Sequence, residues 1–465
     1  MNNFDFSTYI SPFTWRYGSE EMRIIFSEKH KYELWRKIWI ALAKIQYQYG
    51  LVSKAELNDL VKNQNKIDIE RIFEIEKETK HDVVAAIKEF AEKAKIGGGK
   101  IHMGATSMDI TDNAEILKIK ESLLIVDKKL GLVLKTLGKL IKKYADFPCI
   151  GYTHLQPAEP TTVGYRLSFY AQELLLDLTQ IKSLLKTIKG KGFKGAVGTS
   201  ASYQLLLKSK KITAEKFEEK VMRMLGLNSV LISGQTYPRS FDFIVLNSLA
   251  NLNSSLAKFA GDLRILQSPN FGEWSESFGQ NQVGSSAMPF KKNPINSENI
   301  CSLARYVASL PNVARENATL SYLERTLDDS ANRRVIIAEG FLATDQILTT
   351  ANNIFNGLII NEKRITHNLD MYAPFAVIEI ILMETVKRGA NRQKMHELLR
   401  GISLTAWQKI QTGETNPIKN LLINDNEISK FLTKKEIIKL LDVKKYVGNA
   451  PLKALKLVGI INKIK

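Results

Sequence analysis

Apolar side chains recur with a spacing close to 3.6 residues over long stretches of the chain that hold little glycine and almost no proline. This period is typical of an amphipathic α-helix with one buried face. Residues 113–144 follow it throughout and predict a helix of about nine turns. The same pattern predicts further long helices over residues 167–188, 241–266, 294–310 and 335–358.

No alternation of polar and apolar positions is long enough for a central sheet, and strand patterns do not alternate with helix patterns as in parallel α/β proteins. We therefore expect an all-α fold in which any β structure is short and peripheral. The pattern divides the chain into a mixed helical N-terminal domain over residues 1–112, a central bundle of long helices over 113–364, and a helical C-terminal domain over 365–465.

The long helices carry apolar stripes that are wide for a single bundle. A stripe left uncovered by the chain's own helices has to be buried against another copy. The sequence therefore predicts a homo-oligomer.

The composition adds little to this picture, with 44% hydrophobic and 25% charged residues, which suits a folded protein with a sizeable core. No apolar run approaches the length of a membrane span, and residues 1–10 lack the features of a signal peptide, so we expect a cytoplasmic protein. Cys149 and Cys301 are far apart and have no His or Cys at metal-ligand spacing. They are interpreted as core residues rather than as a disulfide or a structural zinc site.

The charge is strongly positive, because 66 lysines and arginines face 48 acidic residues and leave a net +18. A basic nucleic-acid-binding protein is therefore one alternative. However, the excess is spread along the chain in pairs such as Lys128/Lys129 and Lys434/Lys435, without interleaved aromatic side chains or a known recognition module. A solvated, lysine-rich surface is the simpler interpretation.

Candidate chemistry lies in polar, glycine-containing segments that interrupt the helical pattern, at residues 80–82, 101–107, 152–158 and 284–294. Segments between long helices are places where side chains can converge on a ligand. The sequence has no G-x-S-x-G elbow, Walker A loop, G-x-G-x-x-G or H-E-x-x-H motif. Each segment alone could equally be a helix cap, a turn or a solvated pair of lysines.

Taken together, the segments point to one family. Residues 284–294, Gly-Ser-Ser-Ala-Met-Pro-Phe-Lys-Lys-Asn-Pro, followed by Glu298, resemble the signature of the fumarase/aspartase superfamily of lyases, as does Thr-His-x-Gln-Pro-Ala at 153–158. Within that superfamily the chain looks like an adenylosuccinate lyase. The motifs that carry this likeness are Arg16-Tyr17, Lys80-His81-Asp82, Gly-Gln-Thr-Tyr-Pro-Arg at 234–239 and Glu-Arg-Thr-Leu-Asp-Asp-Ser-Ala-Asn-Arg-Arg at 324–334.

This resemblance implies a three-domain fold that tetramerises through its central bundle, with segments from three chains in each composite site. It implies no metal, flavin or nicotinamide. Lys292 departs from the Lys-Arg pair common in adenylosuccinate lyases, and residues 106–109 look intermediate between two forms of the family. Argininosuccinate lyase, or another superfamily member that releases fumarate, therefore stays open as an alternative.

The reaction that the resemblance implies is β-elimination of fumarate from adenylosuccinate, giving AMP, and from succinyl-aminoimidazole carboxamide ribotide. Such a reaction needs a base, an acid for the leaving nitrogen and positive charge near the developing carbanion. By resemblance, Ser285 is the base, with Ser286 as the alternative, and His154 is the acid. Lys291 is the cation that activates the serine, and Glu298 is the carboxylate partner of the histidine. A catalytically silent helical scaffold is disfavoured because all four catalytic residues are present.

The remaining matched positions would bind substrate. The resemblance places Arg16, Tyr17, Arg325, Ser330 and Arg334 on the phosphate and ribose, Thr106, Ser107, Lys291 and Asn293 on the succinyl carboxylates, and Gln235 near the nucleobase and the succinyl group. It also makes Lys80, His81, Asp82, His102, Thr153, Ser286 and Asn299 substrate-binding residues. For His81 and His102, binding or orienting the substrate is preferred to proton transfer. The competing interpretation of each arginine is a structural ion pair.

Overall fold

The computed structural model describes residues 7–464, and most of this part of the chain is α-helical. The helices are α1 (Pro12–Trp15), α2 (Glu20–Ile25), α3 (Glu28–Gln48), α4 (Lys54–Asn63), α5 (Ile69–Thr79), α6 (Asp82–Lys93), α7 (Ser107–Lys143), α8 (Val163–Thr187), α9 (Ala201–Leu207), α10 (Ala214–Met224), α11 (Ser240–Gln267), α12 (Ile295–Thr319), α13 (Ser330–Gly357), α14 (Glu362–Ala376), α15 (Ile378–Lys387), α16 (Arg392–Gln411), α17 (Ile418–Ile423), α18 (Lys434–Leu440) and α19 (Ala450–Ile461). Short 3₁₀ turns lie at Gly98–Lys100, Ile428–Lys430 and Val443–Lys445.

The strands are short, as the sequence predicted. They are β1 (Pro148–Thr153), β2 (Gln156–Thr162), β3 (Lys189–Gly190), β4 (Asn228–Ser229), β5 (Trp274–Ser275) and β6 (Ile359–Ile360). Within the described residues they form three two-stranded pairs: β1 with β2 and β5 with β6 are antiparallel, and β3 with β4 is parallel.

All five predicted long helices are confirmed as α7, α8, α11, α12 and α13. Their observed ends differ from the predicted ends in two ways. Helices α7 and α13 begin several residues before the apolar period starts, because their first turns are polar. Helix α12 continues through Pro311 to Thr319, beyond the predicted end at residue 310. Proline removes one backbone hydrogen bond and disfavours a helix interior, but here the helix continues past it.

The described chain divides into two compact units. Unit 1 comprises the described residues up to Leu130, together with Leu176–Ser254 and Ser302–Thr349. Unit 2 comprises Gly131–Leu175, Ser255–Cys301 and the described residues from Thr350 onward. The five long helices each contribute residues to both units. The predicted division into three domains stays a prediction.

Helix α3 supplies much of the apolar core of unit 1. Trp35, Ile38 and Trp39 on this helix are each at most 3% exposed. The helix begins at the N-cap Ser27, whose side chain accepts a hydrogen bond from the His30 N–H, and such a cap satisfies an amide that the first turn leaves without a partner. The apolar content of this helix, rather than its local propensity, holds it in the core.

Unit 2 has a separate core in its C-terminal helices, where Ile381, Leu399 and Leu422 are among the buried residues. Helix α18 starts with a capping box between Thr433 and Glu436, in which each side chain accepts from the other residue's backbone N–H. In this part of the chain, the capping signal in the sequence and the burial of apolar side chains therefore both favour helices.

No helix among the described residues is long and apolar enough to cross a membrane. The predicted absence of a signal peptide concerns residues 1–10, and residues 1–6 lie outside the described range. Cys149 is buried, as predicted for a core residue, whereas Cys301 is only partly buried.

Candidate active site

A cavity of about 930 Å³ lies in unit 1 and collects nine of the predicted site residues. They come from four separate segments of the chain and are Lys80, His81, Asp82, Thr106, Ser107, Gln235, Arg325, Ser330 and Arg334. Three further predicted residues of unit 1, namely Arg16, Tyr17 and His102, are not among the residues that line it. The tertiary structure therefore assembles most of the predicted binding groups of this unit in one place.

Thr106 and Ser107 enter the cavity at the start of α7. The Thr106 N–H donates to Asp109 Oδ2 at 3.1 Å, which fixes the first turn of the helix. Asp109 is fully buried and forms an ion pair with the equally buried Lys191. It also accepts from the Tyr203 hydroxyl at 3.3 Å. The position of the Thr106-Ser107 pair is thus set by a buried carboxylate one turn away.

The Lys80-His81-Asp82 segment lies at the junction of α5 and α6. Lys80 ends α5 in the left-handed conformation, with φ 54°, and His81 is the N-cap of α6. The His81 Nδ1 accepts a hydrogen bond from the Val84 N–H at 3.4 Å. The sharp change of direction between two helices presents three polar side chains to the cavity in succession.

Two neighbouring arginines near the cavity have different environments. The Arg333 side chain is 12% exposed and lies 2.6 Å from Asp242. The Arg334 side chain is 68% exposed, and its Nη2 lies 3.4 Å from Asp82 Oδ2. Arg333 is therefore part of the supporting structure, whereas most of Arg334 is available to a ligand.

Arg325, a predicted phosphate ligand, has both structural and free donors. Its Nη1 lies 2.6 Å from Asp329, which also pairs with the buried Arg239 at 2.6 Å. The Arg325 Nε is buried and has no hydrogen-bond partner among the described residues. Burial would raise the pKa of Asp329, but the guanidinium groups of Arg239, Arg325 and Arg333 outweigh it and hold that pKa below its usual range. This cluster of charges forms one wall of the cavity.

His102 occupies a partly buried position with a left-handed backbone, φ 66°. The Trp39 indole N–H donates to its Nδ1 at 3.2 Å. Burial is the main reason that the pKa of His102 falls from 6.5 to about 4. The ring is therefore neutral at pH 7, and its role in binding or orienting the substrate stays a prediction.

Arg16 and Tyr17 follow α1. The Arg16 guanidinium carbon lies 5.6 Å from the centre of the Trp15 ring and 5.9 Å from that of Tyr17. Arg16 is exposed, and Tyr17 packs on Phe13 with ring centroids 5.8 Å apart. Their predicted contact with a phosphate stays a prediction.

Several charged, polar and aromatic residues that line the cavity were not predicted from the sequence. These include Phe26, Lys31, Trp35, Thr111, Glu115 and Lys118. Thr111, Glu115 and Lys118 follow Ser107 along α7 at helical spacing, so a polar stripe at the start of this helix was the available signal. Lys31 and Trp35 had no such signal, because α3 reads as a buried helix.

In unit 2, His154 lies at the tip of the β1–β2 hairpin. Thr153 pairs with Gln156, so His154 and Leu155 form a two-residue turn. Both have positive φ, 55° and 59°, and both are exposed. Such turns normally use asparagine or glycine, because other side chains disfavour the left-handed conformation. Thr153, another predicted binder, is exposed beside them.

Ser285 lies in a folded loop of unit 2 between β5 and α12. Its Oγ accepts hydrogen bonds from the backbone N–H groups of Ala287 and Met288, at 3.3 and 3.0 Å. Two such donors favour the negatively charged form of an oxygen. The neighbouring Ser286 is exposed and has no such contact among the described residues. The local geometry thus distinguishes the two serines, and the assignment of Ser285 as the base stays a prediction.

The loop closes because residue 284 has no side chain. A Cβ at Gly284 would lie 1.9 Å from the carbonyl oxygen of Lys291, so another residue there would force the two backbones apart. Asn293 Nδ2 donates to the Gly284 carbonyl at 3.0 Å. Asn293, a predicted binder of the succinyl carboxylate, is therefore used at least in part to close the loop. The Lys291 side chain is exposed and has no ion-pair partner among the described residues.

Glu298 lies in the first turn of α12, and Asn299 follows it. The buried Glu276 caps this helix by accepting from the Ser297 N–H and hydroxyl, both at 2.6 Å. Glu298 is exposed, and its Oε1 lies 4.0 Å from Arg264 Nη2. No hydrogen bond joins Glu298 to His154 within the described part of this chain, so that predicted pairing stays a prediction.

Unit 1 thus contains a cationic cavity suited to a phosphate and carboxylates, and unit 2 contains a supported serine hydroxyl, an exposed lysine and an exposed imidazole. These groups can supply proton transfer and charge stabilisation. No cluster of three or more potential metal ligands occurs among the described residues.

The comparisons with known proteins first define the class. A family model described as "Lyase" matches residues 16–308. A solved structure, the 3-carboxy-cis,cis-muconate lactonizing enzyme from Pseudomonas putida, superimposes with a TM-score of 0.86, at 22% identity over 97% of this chain and 99% of the other. The chain thus has the fold of the fumarase/aspartase-like lyases.

The curated relatives then define the family. An adenylosuccinate lyase from Schistosoma mansoni is 39% identical over 90% of this chain and 88% of its own length. The adenylosuccinate lyase of Saccharomyces cerevisiae is 36% identical over 98% of this chain and 95% of its own length. A model described as "Adenylosuccinate lyase C-terminus" matches residues 374–453. The chain therefore belongs to the adenylosuccinate lyase family.

Proposed function

We propose that this protein catalyses the elimination of fumarate from adenylosuccinate to give AMP, and from succinyl-aminoimidazole carboxamide ribotide. The observation that carries the proposal is the cavity of unit 1, lined by nine residues from four of the segments that resemble this family. A nucleotide with a phosphate and two carboxylates requires several cationic and hydroxyl contacts. Arg334, Lys80, Thr106 and Ser107 supply groups of this kind.

In the proposed mechanism, Ser285 removes the proton next to the carboxylate and His154 protonates the leaving nitrogen. The two backbone N–H groups on Ser285 Oγ favour its deprotonated form. Lys291 adds a positive charge six residues away in the same loop. Positioned acid and base groups of this kind each contribute roughly 10²–10⁴-fold to a rate.

We further propose a homotetramer with composite active sites. The long helices leave large apolar side chains exposed in the single chain, among them Leu124, Leu132, Phe169, Leu176, Ile244 and Val335, which are 46–55% exposed. Exposed apolar side chains on long helices are suited to burial against further copies. Sedimentation should give a particle of about four times 52.5 kDa. A fully active monomer would contradict this arrangement.

The decisive experiment is to mix the purified protein with adenylosuccinate and follow the ultraviolet change on elimination, with chemical identification of AMP and fumarate. Argininosuccinate serves as the competing substrate, although the family comparisons do not favour that activity. Conversion of argininosuccinate alone would contradict the proposal. A cytoplasmic location belongs to the same proposal, and fractionation of source cells tests it.

A further inference from the structure

The conformation of the turn that carries His154 is not one that its own two residues favour. His154 and Leu155 both have left-handed backbones, and neither is a glycine or an asparagine. Each such residue costs roughly 1–2 kcal/mol. A strained turn of this kind persists only where surrounding structure holds it. The neighbouring strand β1 should therefore be anchored elsewhere.

The anchor is the carboxylate of Glu273, which is fully buried in unit 2. The Tyr152 hydroxyl donates to its Oε1 at 2.9 Å, and Arg166 Nη1 donates to its Oε2 at 2.7 Å. Arg166 Nη2 in turn donates to the carbonyl oxygen of Ile150 in β1. One carboxylate thus holds the strand both through a side chain and, by way of Arg166, through the backbone.

Additional contacts make this anchor rigid. Asn368 Nδ2 on α14 donates to Glu273 Oε1 at 3.0 Å. The Tyr152 ring packs edge-on against Phe271 with centroids 4.9 Å apart. The Arg166 guanidinium forms an ion pair with the buried Glu273, and charge-assisted hydrogen bonds are stronger than neutral ones.

We propose that Glu273, through Tyr152 and Arg166, is the positioning residue that sets the location of His154. Tyr152 lies on β1, two residues before His154 in the turn, so a loose Tyr152 would move the turn. A displacement of about 1 Å can reduce a catalysed rate by roughly 100-fold. This inference rests on the proposed function, in which His154 is the acid.

The test compares two tyrosine variants of the full-length protein. Tyr152→Phe removes the hydroxyl that reaches Glu273 and keeps the ring. Tyr170→Phe is the matched control, because the buried Tyr170 donates to Asp262 at 2.8 Å in the same unit and, among the described residues, no hydrogen bond joins it to Glu273 or to strand β1. Both variants should lower the melting temperature by a similar few degrees.

We expect Tyr152→Phe to lower kcat at least tenfold with KM within twofold, and Tyr170→Phe to leave kcat within twofold. In a His154→Ala background, Tyr152→Phe should change kcat by less than twofold, because the positioned group is gone. Equal kcat values for the two single tyrosine variants would overturn the positioning role. The role would also be overturned if Tyr152→Phe lowered kcat in the His154→Ala background by as much as it does in the wild-type background.

The same set separates this inference from the proposed function. If His154→Ala lowers kcat strongly but Tyr152→Phe behaves as the control does, only the positioning role is wrong. If His154→Ala keeps the wild-type kcat, the acid assignment of the proposed function is wrong and the positioning role fails with it.

Discussion

The cavity of unit 1 and the catalytic segments of unit 2 are built in different ways. In unit 1, groups from several helices line one cavity, and its arginines are partly held by buried aspartates such as Asp329. In unit 2, His154 and Lys291 are exposed on a turn and a loop, and buried carboxylates beneath hold the backbone.

The difference shows two ways of fixing a functional group. A binding cavity can use charge pairs directly on its wall, because the paired arginines keep donors for a ligand. An exposed turn or loop has few neighbours of its own, so its position depends on buried residues such as Glu273 next to β1 and Glu276 at the start of α12. Substitutions in the two regions should therefore fail differently.

The largest effect is expected from Ser285→Ala, which removes the proposed base from unit 2. The hydroxyl makes only local contacts, with the N–H groups of Ala287 and Met288. Stability should hardly change, while kcat falls by roughly 10²–10⁴-fold. Steady-state kinetics on adenylosuccinate, together with a thermal melt, measures both.

Ser286→Ala is the control for this substitution and should lower kcat much less. If Ser286→Ala loses activity while Ser285→Ala keeps it, the base is the second serine of the loop. Activity in both variants would mean that the loop is not catalytic. The contrast between a binding cavity in unit 1 and catalytic segments in unit 2 would then be wrong.

The second prediction concerns the supporting charges of unit 1. Arg333→Met leaves the buried Asp242 without its ion-pair partner. Breaking a buried ion pair by removing one member costs about 3–5 kcal/mol. Urea denaturation should therefore show a large loss of stability. A loss below about 1 kcal/mol would contradict the structural role of Arg333.

A smaller effect, on substrate binding rather than on stability, is expected from Arg334→Met at the neighbouring position. This side chain is mostly exposed, so stability should stay within about 0.5 kcal/mol of the wild type. A lost charged contact to a phosphate is worth about 1.5–3 kcal/mol, which corresponds to a rise in KM of roughly 10- to 100-fold. An unchanged KM would remove Arg334 from the proposed binding site.

The smallest effect is a pH dependence of stability that comes from His102. Because burial lowers its pKa from 6.5 to about 4, the unfolded chain binds a proton more readily than the folded one between these values. The stabilising contribution of the neutral ring is therefore present above about pH 6.5 and is lost as pH falls toward 4. Between pH 7 and pH 5.5 the loss should be about 1 kcal/mol.

Urea denaturation at the two pH values, compared with His102→Asn, measures this contribution. Asparagine keeps an acceptor for the Trp39 N–H and tolerates a left-handed backbone, but it does not titrate. The difference in stability between the two pH values should be smaller in the variant. The same pH dependence in both proteins would show that His102 is not responsible.

Much of the fold followed from the sequence. All five long helices were predicted, because their apolar period persists over many turns. Helix ends were less accurate, since the polar first turn of α7 and the interior Pro311 of α12 carry signals that conflict with the period. The division into two compact units could not be read from one-dimensional patterning, because it cuts through the long helices.

What the sequence determined by itself is the helical class, the family and the identities of the candidate catalytic residues, since these depend on local spacing and on motifs read along the chain. Only the tertiary structure decided which groups share the cavity of unit 1 and which neighbouring arginine is structural. It also decided that Glu273, far from His154 in sequence, holds the strand beneath it. The physical reason is that burial and charge pairing arise from contacts between distant segments, and no local pattern encodes them.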